Sequence, residues 1–188
     1  NNGFHLAKDT VGLDNVYIYD SRQVGAPVMD MAIRAKQLAD EGKDVDEIFK
    51  VLEEKTKHSF SFLYPDNFDQ LSRSGRLSPM AARMASMLKI KALLCLDEQG
   101  KSVDKYSMSR TEVKVLKAIT DKFHELGVNA EKYKIYISHA DNIVFAKKSK
   151  LLLQTTFHGI EVEINNLPAV LTCHGGLACC ALHSTYKI

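Results

Sequence analysis

The sequence predicts an α/β fold, with an N-terminal parallel α/β part over residues 1–66 and a C-terminal α+β part with a mixed sheet over residues 67–188. Three observations predict it. Short apolar runs alternate with amphipathic stretches along the whole chain, which is the rhythm of strands exchanged for helices. The runs "KALLCL" and "SVDKYSMS" are separated by the turn "DEQGK", so the C-terminal part contains an antiparallel hairpin. There is neither an internal repeat nor a low-complexity linker to suggest a solenoid or a flexible array.

Taken in order, the first residues read as helical, and "NVYIYD" (15–20) reads as a buried strand. After the loop "SRQVGA", Pro27 sits in the first turn of a helix that runs through Ile33 and Leu38 to Gly42. Asp44 and Glu47 have the spacing of a capping box, and Ile48, Leu52 and Thr56 then share one helix face. "FSFLYP" is a strand. The polar segment 66–91 marks a change of composition, and the domain boundary is placed at its start. Beyond the hairpin, "TEVKVLKAITDKFHELG" puts Val113, Leu116, Ile119 and Phe123 on one face, with Gly127 as its stop. "YKIYISH" is a strand, and "NIVFAKKSKLLLQTT" is a helix capped by Asp141 or Ser138. "IEVEIN" and "AVLTCH" are strands, with Cys179 and Cys180 as small apolar residues of a following helix.

Composition excludes several function classes. With 25 basic and 23 acidic residues the formal charge is +2, too weak a field to recruit nucleic acid. The tight run "KKSK" (147–150) reads as a solvated helix face, since no aromatic stacking pattern accompanies it. No stretch approaches the roughly 18 apolar residues of a membrane span, and "NNGFHLAKDT" lacks the pattern of a secretory leader. A cytoplasmic protein is expected. The four cysteines, at 95, 173, 179 and 180, include an adjacent pair, which suits reduced thiols better than a disulfide framework.

Candidate sites fall at element ends. Ser78 and Pro79 are placed to open a helix whose free amides would face the loop holding Arg76, and Gly75 would let backbone approach closely. Such a place favours a phosphate or carboxylate, or else it is a structural loop whose arginine pairs with a surface acid. Ser21 lies where a strand would end, as an anion donor or as a turn hydroxyl satisfying its own backbone. Met80, Met84 and Met87 recur at helical spacing, a polarizable stripe suited to an acyl chain or to an ordinary core. His139 ends a strand, as a catalytic group or, more often for a lone strand-end histidine, as a satisfied structural one. In "LTCHGGLACCALH" (171–183), neighbours on a strand point to opposite faces, so Cys173 and His174 should not share an ion, and no metal is expected. What remains is His174 at a strand end, with Gly175 and Gly176 clearing space for a ligand.

In this order, "VYIYDSR" (16–22), "FDQLSRSGRLSP" (68–79) with "LKIKALLCLDEQGK" (88–101), "SHADN" (138–142) and "LTCHGG" (171–176) resemble the DegV family of bacterial fatty-acid-binding proteins. The resemblance implies a DegV-like two-domain arrangement that holds a long-chain fatty acid between its domains. The N-terminal domain here would be partial, because the family's first part, with further carboxylate-binding hydroxyls, has no counterpart; a fragment or a reduced family member is expected. The resemblance also implies a carrier and not an enzyme, with no cofactor beyond the bound lipid. A separate fatty-acid kinase would receive the carboxylate and make acyl phosphate for phospholipid synthesis, with transient encounters at the membrane surface. By position, Ser21 and His174 would hydrogen-bond the carboxylate, Arg76 would lie beside it, and Arg110 would dock the kinase. The chain departs from the family pattern at Ser74-Gly75, where two glycines are usual, and at His174-Gly175-Gly176-Leu177-Ala178, where H-x-G-P-G is usual. The rival reading is an enzyme or regulatory interaction module acting on a small anion at Arg76 and His174.

Overall fold

The computed structural model describes residues 2–12, 15–66, 68–78, 90–96, 100 and 102–188. A six-stranded sheet in the order β3-β2-β1-β6-β4-β5 is its centre. The strands are β1 (Phe60–Tyr64), β2 (Lys91–Leu96), β3 (Val103–Ser109), β4 (Tyr133–His139), β5 (Glu161–Asn166) and β6 (Cys180–Tyr186). β4 and β5 pair in parallel through a helical crossover, whereas the other described pairs are antiparallel. The sheet is therefore mixed. It also spans the boundary expected at residue 66, because β1 pairs with both β2 and β6.

The helices among the described residues are α1 (Asn2–Val11), α2 (Ala26–Asp40), α3 (Val45–His58), α4 (Asp69–Arg73), α5 (Glu112–Glu125), α6 (Ile143–Thr156) and α7 (Ala169–Gly175). The capping box forms as the spacing predicts: Glu47 N–H donates to Asp44 Oδ1 at 2.9 Å and Asp44 N–H to Glu47 Oε2 at 3.2 Å. Period-two alternation then sorts the strands. Phe62 of β1 and Leu182 of β6 point into the main core, where Ile119 and Phe123 of α5 and Phe145 and Leu153 of α6 cover them. α2 and α3 pack on the opposite face over β6.

Four expectations change. "NVYIYD" forms no strand: residues 16–24 have no ladder partner, and Tyr19 packs its ring against Phe49 of α3 instead. On α5 the buried stripe runs through Val115, Ile119 and Phe123, while Val113 is exposed, so the helical face begins two residues later than expected. "AVLTCH" is the short helix α7, opened after Pro168 with Leu171 N–H and Thr172 N–H on the Pro168 carbonyl. Its β-branched residues are too weak a preference to resist that start. Cys180 is the first residue of β6 and Cys179 lies just before it, not in a helix. The helix expected from Pro79, with Met80, Met84 and Met87, lies outside the described residues.

The cap of α6 is also reassigned, from Asp141 or Ser138 to Asn142, whose Oδ1 accepts from Phe145 N–H at 3.3 Å. Its amide nitrogen donates to Ala178 O at 2.8 Å, and Ala178 N–H bonds back to Ala140 O. One side chain thus starts a helix and ties down the turn into β6. Asn142→Ala should lower unfolding free energy by about 1–2 kcal/mol, seen as a lower urea midpoint with an unchanged m-value.

Candidate functional site: a cavity over the sheet

The face of the sheet opposite the main core supplies the floor of a cavity. Alternation turns Ser61 and Leu63 of β1 to that face, opposite His183 and Ala181 of β6 in the ladder. Leu96 of β2 and Val103 of β3, themselves paired, extend the floor toward the sheet edge. Leu171, His174 and Gly175 of α7 form part of the wall, with Leu71 of α4, Arg76 and Val24. The enclosed space is about 280 Å³ and mostly apolar. Pockets of this character suit apolar ligands positioned by a few polar groups.

Val24 is held there by the segment before α2. Asp20 Oδ1 accepts from Arg22 N–H at 3.1 Å, and Arg22 takes the left-handed conformation with φ 50°. Its guanidinium donates to both oxygens of Glu53 on α3, at 2.7 and 2.8 Å, and Tyr19 Oη donates to the same carboxylate at 3.0 Å. The Arg22 hydrogen bonds hold the Glu53 carboxyl below the usual carboxylate range. Gly100, in the turn between β2 and β3, lies directly against this segment: a Cβ there would come 2.6 Å from the Arg22 carbonyl oxygen.

The most buried polar group of the cavity is His183, 1% exposed. Its Nδ1 is hydrogen-bonded to Ser61 Oγ at 2.8 Å, and Ser61 Oγ in turn donates to Gln23 Oε1 at 3.2 Å. Its Nε2 is buried with no hydrogen-bond partner among the described residues. Burial lowers the imidazole pKa to about 4, so the ring is neutral at physiological pH.

Arg76, His174 and Gly175 are brought together in the cavity wall, but Ser21 and Gly176 are not among its lining residues. Ser21 Oγ accepts from Gln23 N–H at 3.3 Å, a turn hydroxyl serving its own backbone, while Val24 three residues on reaches the cavity. Gly176 ends α7 with φ 81° and lies against Gln70. Gly175 is small because Cys179 is near: a Cβ there would meet its Sγ at 2.9 Å. Gly75 makes a left-handed turn, and a Cβ there would meet nothing within 4 Å, so conformation and not close approach explains it. Ser78 Oγ donates to Asp104 Oδ1 at 2.7 Å. Arg110 is exposed after β3 and does not line the cavity. His174 occupies the last turn of a helix and not a strand end, and Cys173 beside it is exposed. The strand argument against a shared ion at those two residues therefore does not apply; among the described residues no group of three or more His, Cys, Asp or Glu is placed to hold a metal. His139 is structural, its Nδ1 accepting from Asn142 N–H at 3.2 Å. Ser61 and His183 were not foreseen. The signal was there: "FSFLYP" pairs Ser61 with Leu63 by alternation, and "CALHSTY" pairs His183 with Ala181 once Cys180 is read as a strand residue.

A family model described as uncharacterised protein, DegV family, matches residues 2–187. A DegV domain-containing protein of Streptococcus pyogenes serotype M1 is 28% identical over 169 residues, which is 90% of this chain and 59% of that protein. The crystal structure of a fatty acid binding DegV family protein from Streptococcus agalactiae has a TM-score of 0.89 at 24% identity, covering 100% of this chain and 65% of that one. A DegV family protein from Eubacterium eligens, loaded with heptadecanoic acid, has a TM-score of 0.82 at 18% identity, covering 98% and 66%. The chain thus spans about three fifths of the curated relative and just under two thirds of the two structures.

Proposed function

Since the chain belongs to the DegV family, we propose that it binds a long-chain fatty acid, with the acyl chain in the cavity over β1, β2 and β6. The observation that carries this reading is the largely apolar space of about 280 Å³ with Arg76 and His174 among the residues that line it. An acyl chain leaves water for such a space with a gain of about 0.8 kcal/mol per buried CH₂, and a carboxylate in a mostly dry site needs charge-assisted donors. Arg76 and His174 take that role, Gly175 leaves room beside them, and Ser21 contributes a donor once its turn reorganises. Support from relatives comes from the two fatty-acid-binding structures above.

The protein acts as a cytoplasmic carrier. It collects the acid at the membrane surface and presents its carboxylate to a separate fatty-acid kinase that docks at Arg110, feeding phospholipid synthesis. No nucleophile or general base is required of the carrier itself. Among the described residues no helix is long and apolar enough to cross a membrane.

Organic extraction of the purified protein followed by mass spectrometry should return fatty acid, and titration with palmitic acid should saturate. Arg76→Ala and His174→Ala should each weaken palmitate binding about tenfold or more, the effect of removing a hydrogen bond to a charged group, while leaving the unfolding midpoint close to wild type. Absence of lipid and of palmitate binding would overturn the reading. Acyl phosphate formed equally fast by a fatty-acid kinase with the Arg110→Glu carrier would remove that residue from docking.

A further inference from the structure

His183 stands apart from the carboxylate-binding residues. Across the floor, Val103 N–H bonds to the Arg76 carbonyl, Val103 is opposite Leu96, and Leu96 follows Cys95, the partner of Phe62. Leu96 therefore lies beside Ser61, which faces His183. This row crosses four strands and ends on the Arg76 segment paired beyond β3, so the backbone of Arg76 and His183 are separated by four inter-strand steps, roughly 19 Å. Leu171 and His183 Nε2 both lie within 4 Å of a Cβ placed at Gly25, and His174 is one turn further along α7. A chain whose carboxylate is held at Arg76 and His174 thus runs toward His183.

The imidazole is built into its position. Ser61 has one hydroxyl hydrogen, and it goes to Gln23 Oε1, so Ser61 Oγ accepts from Nδ1–H. The Nε2 lone pair is left in the apolar wall without a partner among the described residues. A plain hydrocarbon laid against it keeps that acceptor unsatisfied, at a cost the site incurs for every simple fatty acid. A carboxylate cannot satisfy a bare Nε2, because both groups only accept. A hydroxyl can, and it would suit the other ring tautomer as well, since it both donates and accepts.

Resting on the fatty-acid reading of this cavity, we propose that His183 Nε2 is a second recognition point, which binds a hydroxyl group carried part-way along the acyl chain. The preferred ligand class is then a hydroxy fatty acid.

The test compares stearic acid with a series of hydroxystearic acids differing in hydroxyl position, titrated into the wild-type protein. One position, or two adjacent ones, should bind about tenfold tighter than stearic acid, the size of one buried hydrogen bond gained and one unsatisfied acceptor removed. On adding that acid, the ¹⁵N resonance of His183 Nε2 should shift, and on adding stearic acid it should not. His183→Phe should abolish the preference and bind stearic acid at least as tightly as wild type does. The wild-type comparison and the resonance need no variant, so a poorly folded His183→Phe leaves the proposal testable. Stearic acid binding with no hydroxylated isomer tighter would overturn this inference and leave the carrier function standing; failure of every acid, stearic included, would overturn both.

Discussion

Asp30→Ala should destabilise the protein by about 3 kcal/mol. Lys55 of α3 is 5% exposed at its side chain, and its ammonium lies 2.8 Å from Asp30 Oδ2 on α2. It also donates to the carbonyl of Tyr186 at the end of β6. The second oxygen of Asp30 accepts from Tyr136 Oη on β4 at 2.9 Å. The carboxylate therefore joins two helices to β4, and through the Lys55 ammonium the pair also reaches β6. Without it the ammonium is left buried on a single carbonyl, which is the expensive outcome, whereas the double variant Asp30→Leu/Lys55→Met removes both charges and should recover most of the loss. Burial, with the Asp30 hydrogen bond adding to it, raises the Tyr136 pKa to about 12; in Asp30→Ala its titration should move down. Urea unfolding of the two single variants and the double gives the coupling, and additive losses would refute it.

Acid should act through His183. Its pKa is about 4 in the fold and about 6.5 in an unfolded chain. The unfolded state therefore binds the proton first, and stability falls as pH drops. The contribution of this group is complete above about pH 6.5, declines through the interval, and is gone below about pH 4. That gap corresponds to about 3 kcal/mol. Unfolding free energy measured from pH 4 to 7.5 should show this limb in wild type and a flattened one in His183→Phe. Parallel profiles would show that the ring is not buried in its neutral form.

Much of the frame is legible in the sequence because local pattern and tertiary demand agree. The hairpin of β2 and β3, the strand β4 and the helices α2 and α3 carry periodicity, stops and caps that their final packing does not contest. Where they disagree, tertiary context decides. Tyr17 to Tyr19 are strand-forming residues, but Tyr19 is partnered by side chains of α3 and Tyr17 by Lys8 of α1, not by a neighbouring strand. Residues 169–174 look like a strand and are helical after Pro168, which also moves every residue of β6 out of the helix expected at 179 and 180. That one displacement hid His183, whose face can be read only once the start of β6 is known. Arg76 and His174 stood out as candidates because they are unusual groups at element ends, and both line the cavity. Ser61 looked like an ordinary strand serine. Its importance lies in a partner 122 residues away, a separation over which no local pattern carries information.

The contact between Gly100 and Arg22 bears on the shape of the cavity wall. Residues 20–24 are anchored at one end by Glu53, and they rest on the β2–β3 turn only because that turn carries no side chain at position 100. Any larger residue there would prise the strap outward, carrying Val24 from the wall and Gln23 from Ser61. That part of the cavity wall therefore depends on a residue whose own role is to be absent, and its shape can be altered without changing Arg76, His174 or His183.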